Sequence, residues 1–152
     1  MAGHSLWGTT PRQSIEAVCT ARGTASVVSD CVALVEGADT DPALVQALAG
    51  PDAPRFLDAP PDQRYWLRVW GARGLLWALS APGAPPPDDP TLSAAIIAAL
   101  GDEHWRVREM AAKVAARYRM DPTHPAIVLL LGDETPRVRA AAARTLRLLT
   151  TS

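Results

Sequence analysis

The chain has 152 residues, is 48% apolar and carries a net charge of −1, a size and composition that suit one soluble globular domain and leave little room for two. No apolar run approaches the roughly 18 residues of a membrane span, and the start, Met1-Ala-Gly-His-Ser-Leu-Trp-Gly8, has neither the cationic opening nor the apolar segment of a secretory signal, so a cytoplasmic protein with no membrane contact is expected. The charge is uneven: residues 1–100 hold six Arg against ten acids, residues 101–152 nine Arg and Lys against six, which points to an acidic partner for the C-terminal half while falling short of a strongly basic nucleic-acid binder.

In chain order, Thr10-Pro-Arg-Gln13 has the form of a helix start with a capping box, and a first helix runs to about Arg22. Gly23 then stops it, and Val27, Val28, Cys31, Leu34 and Val35 form the apolar stripe of a second helix that ends near Gly37. Cys19 and Cys31 sit in these helices among apolar neighbours. Facing core positions could bring them together, but they read as buried reduced thiols. Asp41-Pro42 opens a third helix with Leu44, Val45 and Leu48, closed by Gly50-Pro51. A proline-broken connection follows, in which Arg55-Phe-Leu57 forms a short turn and Phe56 and Leu57 tuck inward. The longest helix is expected from Asp62 to about Ser80, and Asp-Pro at 89–90 and 121–122 marks two further helix starts. Between the long helix and the first of these starts lies Ala81-Pro-Gly-Ala-Pro-Pro-Pro-Asp-Asp-Pro90, a stiff spacer.

The C-terminal third repeats itself. Leu100-Gly-Asp-Glu-His-Trp-Arg-Val-Arg-Glu-Met-Ala-Ala-Lys-Val-Ala is answered 31 residues later by Leu131-Gly-Asp-Glu-Thr-Pro-Arg-Val-Arg-Ala-Ala-Ala-Ala-Arg-Thr-Leu. A helical pattern with a period of about 30 to 47 residues signals helix pairs stacked on their neighbours. Within the units an Asp is followed six positions later by an Arg at Asp62 and Arg68, Asp102 and Arg108, and Asp133 and Arg139. Each Arg follows an aliphatic residue and precedes small ones, Gly71-Ala72, Ala111-Ala112 and Ala142-Ala143.

In these residues the sequence resembles HEAT repeats, over about residues 41–149 and most specifically in the last two units. The resemblance implies an all-α, right-handed α-solenoid of about four antiparallel helix pairs: an N-terminal capping pair at 10–37 and repeats at 41–80, 89–119 and 121–149, within a single domain 1–152. It also implies a structural ladder of Asp and Arg hydrogen bonds along the stack. The first unit departs from the pattern by roughly eight extra residues before its Asp and by bulky aromatics where Ala is usual.

At 100° per residue, Val107, Ala111, Val114, Ala115 and Tyr118 share one side of their helix, and Arg106, Lys113 and Arg117 share another. A shift of 31 carries Arg106 onto Arg137 and Lys113 onto Arg144, and a shift back by 40 carries Lys113 onto Arg73. Because second helices line the concave surface of HEAT-like stacks, the resemblance implies a basic inner wall of Arg73, Arg106, Lys113, Arg117, Arg137 and Arg144, with Arg147 beside it. Such a wall is either a solvated face or a groove for an anionic partner. Trp66, Trp70 and Trp77 make an aromatic stripe around Arg73, either buried by neighbouring units or partly exposed as a contact surface.

No nucleophile elbow or phosphate loop is present. His4, His104 and His124 lack metal-ligand spacing and read as surface or capping residues, so neither metal nor cofactor is expected. The expected function is a non-enzymatic scaffold that binds an acidic or helical protein partner on its concave face. The alternative is a HEAT-like DNA-binding protein or alkylpurine DNA glycosylase, to whose helix motifs Glu103-His-Trp105-Arg-Val-Arg108 is faintly similar. A third reading has the last repeat pair with another copy through Ala140, Ala141, Leu148 and Leu149. The single Lys against fourteen Arg, among many Ala and Pro, has the look of a high-GC bacterial genome.

Overall fold

The computed structural model describes residues 10–38, 42–50 and 53–151. Among them every regular element is helical. Contacts divide the chain into two compact units, Met1–Pro85 and Pro86–Ser152, with the boundary inside the proline-rich spacer. The single-domain reading draws no line there.

In the first unit α1 spans Pro11–Arg22 and α2 spans Thr24–Val35. The capping box forms: Thr10 Oγ1 accepts from the Gln13 amide at 3.2 Å, and Gln13 Oε1 accepts from the Thr10 amide at 2.9 Å. Gly23, at φ 90°, ends α1 with its N–H on the Cys19 carbonyl. The helices α3 (Pro42–Ala49) and α4 (Ala53–Leu57) follow. Asp41 and Pro51, expected to open and close α3, lie outside the described residues, as do His4 and the Phe56 side chain; Leu57 is half-buried.

The expected long helix from Asp62 to Ser80 is shorter and broken at its start. A 3-10 turn occupies Pro61–Gln63, and α5 runs only from Tyr65 to Ala78, 14 residues. Pro60 and Pro61 have no N–H to donate, so the first bonds of this entry fall to Gln63 and Arg64. These are i→i+3 bonds, Gln63 N–H to the Pro60 carbonyl and Arg64 N–H to that of Pro61. The longest described helix is the last one, at 15 residues.

The helix α5 packs on α2 with almost no separation. A Cβ at Gly71 would stand 2.8 Å from Leu34 Cβ and 2.9 Å from the Cys31 carbonyl oxygen, and one at Gly74 would stand 2.5 Å from Cys31 Sγ. Gly71 therefore lets backbone meet backbone, and Gly74 makes room for the Cys31 side chain. Both thiols are buried and reduced, as expected. Burial pushes the Cys31 thiol up to about 12, with charge repulsion from Cys19 and Asp30 adding to it.

The second unit is two helix pairs. Asp89 caps α6 (Pro90–Leu100), its carboxylate accepting from the Leu92 amide at 3.1 Å. His104 caps α7 (Trp105–Arg117), with Nδ1 accepting from the Arg106 amide at 3.2 Å. Asp121-Pro122 opens a 3-10 turn, Asp121–Thr123, and α8 begins only at His124, extending to Leu130. A second proline, Pro125, takes the first turn of α8, where its missing N–H costs nothing. The last helix, α9, spans Pro136–Thr150.

Within this unit α6 packs on α7 and α8 on α9, while α7 lies against α9 and α6 against α8. Leu92, Ile96, Leu100, Val107, Ala111, Val114, Met120, Ile127, Val138 and Ala142 fill the core, each large aliphatic side chain contributing about 1.5 to 3 kcal/mol on burial. Thr145 is fully buried in it; its hydroxyl lies 2.7 Å from the Ala141 carbonyl and 3.0 Å from that of Ala112 across the α7–α9 interface. No described helix is long and apolar enough to cross a membrane.

Candidate functional site

The turns come first, because they set the register of the second helices. Asp102 Oδ1 accepts from the His104 amide at 2.8 Å, and Asp133 Oδ1 accepts from the Thr135 amide at 2.9 Å, so both aspartates close their turns in the same way. Arg108 reaches across repeats. Its Nε and Nη2 hold the two oxygens of Asp133 at 2.8 and 3.1 Å, and its Nη1 donates to the Asp102 and Glu103 carbonyls. Burial alone pushes the Asp133 carboxyl up, but the hydrogen bonds from Arg108 and Thr135 and the Arg108 charge outweigh it and hold the group below its ordinary value. Arg139 donates to the Asp133 carbonyl at 2.8 Å. In the first unit Asp62 is exposed on its 3-10 turn and Arg68 is half-buried in α5.

With α7 and α9 locked side by side, the basic residues of the second unit fall into two groups. Arg106 and Arg137 flank Trp105, their guanidinium carbons 4.6 and 5.3 Å from its ring centroid, and His104 stacks on the same indole. Arg137 also pairs with the nearly buried Glu109 at 2.9 Å. Trp105 thus organises this end of the ridge. A helix-face projection follows like residues, so it collects the cations and passes over Trp105, the indole next to them.

At the other end Lys113, Arg117 and Arg144 line one groove of about 410 Å³, joined by Arg119. Ala116, Ala141, Thr145 and Leu148 complete its wall, and among the described residues no carboxylate lines it. Arg117 lies over the Tyr118 ring at 5.6 Å and donates from Nε to its hydroxyl at 3.3 Å. Arg147 is exposed.

Arg73 belongs to the first unit, half-buried with its guanidinium 4.6 Å from the Trp70 ring, and burial lowers its pKa. Trp70 is buried, whereas Trp66 and Trp77 are half-buried, Trp77 beneath the Arg12 guanidinium at 5.4 Å.

The opposite side of the second unit is different in character. Between α6 and α8 a hollow of about 590 Å³ is lined by Ile97, Leu100, Leu129 and Leu130 with Asp102, Asp133, Glu134 and Arg108. Leu129 is 79% exposed, the most of any large apolar side chain described. Of the residues expected to form an apolar end, Ala141 is buried, Leu148 and Leu149 are half-buried and only Ala140 is exposed. The amphipathic packing of α9 on α7 and α8 covers most of them. Among the described residues no group of three or more His, Cys, Asp or Glu could hold a metal.

An all-α stack of short helix pairs, tied by an Asp–Arg contact from one turn to the next, defines a helical-repeat protein. The family model for HEAT repeats matches residues 87–152, so the second unit is built of HEAT repeats. No curated protein and no solved structure matches it. HEAT repeats commonly mediate protein interactions.

Proposed function

We propose that this protein is a non-enzymatic scaffold that holds an acidic, or acidic and helical, protein segment against the α7–α9 face. The supporting observation is the groove in which Lys113, Arg117, Arg119 and Arg144 meet with no carboxylate in the lining among the described residues. Asp102, Asp133 and Glu134 of the same unit line the α6–α8 hollow instead. Exposed charges are screened over about 8 Å at physiological salt, so only an anionic group that enters the groove feels all four cations together. The Trp105 cluster at the other end of the ridge supplies an aromatic face of the kind that anchors interfaces.

The test is binding of a fluorescent acidic amphipathic peptide, followed by anisotropy, to the protein and to Lys113→Glu with Arg144→Glu. Both side chains stand outside the core, so helicity by circular dichroism should be unchanged while affinity falls at least about tenfold and weakens steeply with salt. Equal binding by the reversed variant removes the groove from the proposal.

A further inference from the structure

The end of α7 breaks a rule that the other helix ends keep. Arg119 sits at φ 46°, whereas the other positive φ values among the described residues belong to Gly23, Gly37, Gly50 and Gly83. The comparison with Gly37 is close. After α2, Gly37 N–H bonds to the Leu34 carbonyl and Ala38 N–H to the Ala33 carbonyl, both at 3.0 Å. After α7, Arg119 N–H bonds to the Ala116 carbonyl at 3.3 Å and Met120 N–H to the Ala115 carbonyl at 3.0 Å. These are the same two bonds of a Schellman motif, whose left-handed position glycine occupies without steric cost. A long side chain with a Cβ in that conformation is strained, and nothing in the backbone bonding requires it. What distinguishes Arg119 is its place: it is one of the residues that line the α7–α9 groove, with Lys113, Arg117 and Arg144.

Strain of this kind persists where it serves a site. We infer that the α7–α9 groove recognises a phosphoryl group on a protein segment, and that Arg119 is kept in its left-handed conformation to complete the cationic lining. The inference rests on the proposed binding face and names the chemistry of its occupant. A single carboxylate brings one charge and two acceptor oxygens into a groove walled by four cations. A phosphate monoester brings a charge of about −1.5 to −2 and three strong acceptor oxygens, which match the fork geometry of several guanidinium groups. The small side chains of Ala116 and Ala141 and the apolar flank of Leu148 leave space for the chain that bears it.

The experiment compares degenerate libraries of short fluorescent peptides with a central phosphoserine, the same serine unmodified, or glutamate in its place. A short DNA duplex serves as the fourth probe. Each is titrated into the full-length protein, Arg119→Gly, and Lys113→Glu with Arg144→Glu. The expected result is phosphopeptide binding at least about tenfold tighter than either twin or the duplex. Arg119→Gly should lose at least about tenfold of that affinity while melting about 2 to 4 °C higher, because glycine relieves the left-handed strain. An Arg kept for structural reasons would lower the melting temperature instead, so a drop overturns the strain argument.

Glutamate peptides that bind as well as phosphopeptides, or Arg119→Gly that binds like wild type, overturn the phosphoryl assignment. If the reversed pair still abolishes that binding, the acidic-segment scaffold stands. Peptides that fail to bind, or bind the reversed pair equally, overturn both readings. Preference for the duplex replaces the protein segment with nucleic acid and overturns the inference.

Discussion

Replacing Arg108 with Met should unfold the second unit more readily than any surface change in it, and the size of the effect follows from the geometry. The Arg108 and Asp133 side chains are 10% and 7% exposed. Arg108 spends its donors on four bonds, two to the carboxylate and two to carbonyls of its own turn. Met fills the aliphatic part of the space but leaves the carboxylate without its counter-charge. Removing one member of a buried pair costs about 3 to 5 kcal/mol, less than the simple sum of four charge-assisted bonds at about 1.5 to 3 kcal/mol each because they are not independent. Urea denaturation followed at 222 nm reads this as a fall in midpoint of about 2 M at a slope near 2 kcal/mol/M.

Asp133→Asn then separates charge from shape. Its amide oxygen can still accept from the Thr135 amide, so in the Arg108→Met background it should recover stability by relieving the stranded charge. A cost below about 1 kcal/mol for Arg108→Met, within the range of an exposed pair, or a double variant weaker than Arg108→Met alone, would refute the reasoning. In the parent protein Asp133 has a depressed folded pKa. Its contribution is therefore full above the unfolded carboxyl value of about 3.9 and lost as pH falls through the folded one. Arg108→Met should flatten that acid limb.

Further outcomes test the packing. Gly71→Ala should destabilise by about 1 to 3 kcal/mol even after the helix-propensity gain, because two of the three nearest atoms, the Cys31 oxygen and the Val35 nitrogen, are backbone and can move only with α2. Gly74→Ala meets Cys31 Sγ instead, so Cys31→Ala should rescue it and should fail to rescue Gly71→Ala, as thermal melts would show. Cys31, with its thiol pushed up to about 12, should resist iodoacetamide at pH 8 until the protein unfolds. As its folded pKa stands above the unfolded value of about 8.5, stability should decline as pH rises beyond that value; fast alkylation of the native state would contradict the burial. Thr145→Val should cost no more than about 1 kcal/mol in urea melts, since the preceding repeat places Val114 at the equivalent position and the Ala112 carbonyl remains in its helix.

The legible part of this protein is what depends on neighbours along the chain. The 31-residue repeat, the caps at Thr10 and Asp89, and the helical spacing that puts Lys113 and Arg117 on one side of α7 are local patterns, and helices form from local bonds. Local pattern misled where prolines 60, 61, 122 and 125 offered more than one place to begin a helix, so α5 and α8 start later than the Asp-x or Asp-Pro signal suggested.

What the sequence by itself determined, then, is the all-α repeat and the identity of most cations on the α7 and α9 faces, because periodicity projects directly onto a helix surface. Only the tertiary structure decided which groups meet. Six residues separate Arg108 from Asp102, yet its fork closes on Asp133, 25 residues away, because the next turn is stacked beside it. Trp105 gathers Arg106 from its own helix and Arg137 from another. Arg119 lies past the end of α7, where helical projection ceases to apply, and a single backbone torsion of the hand usually left to glycine puts it in the groove.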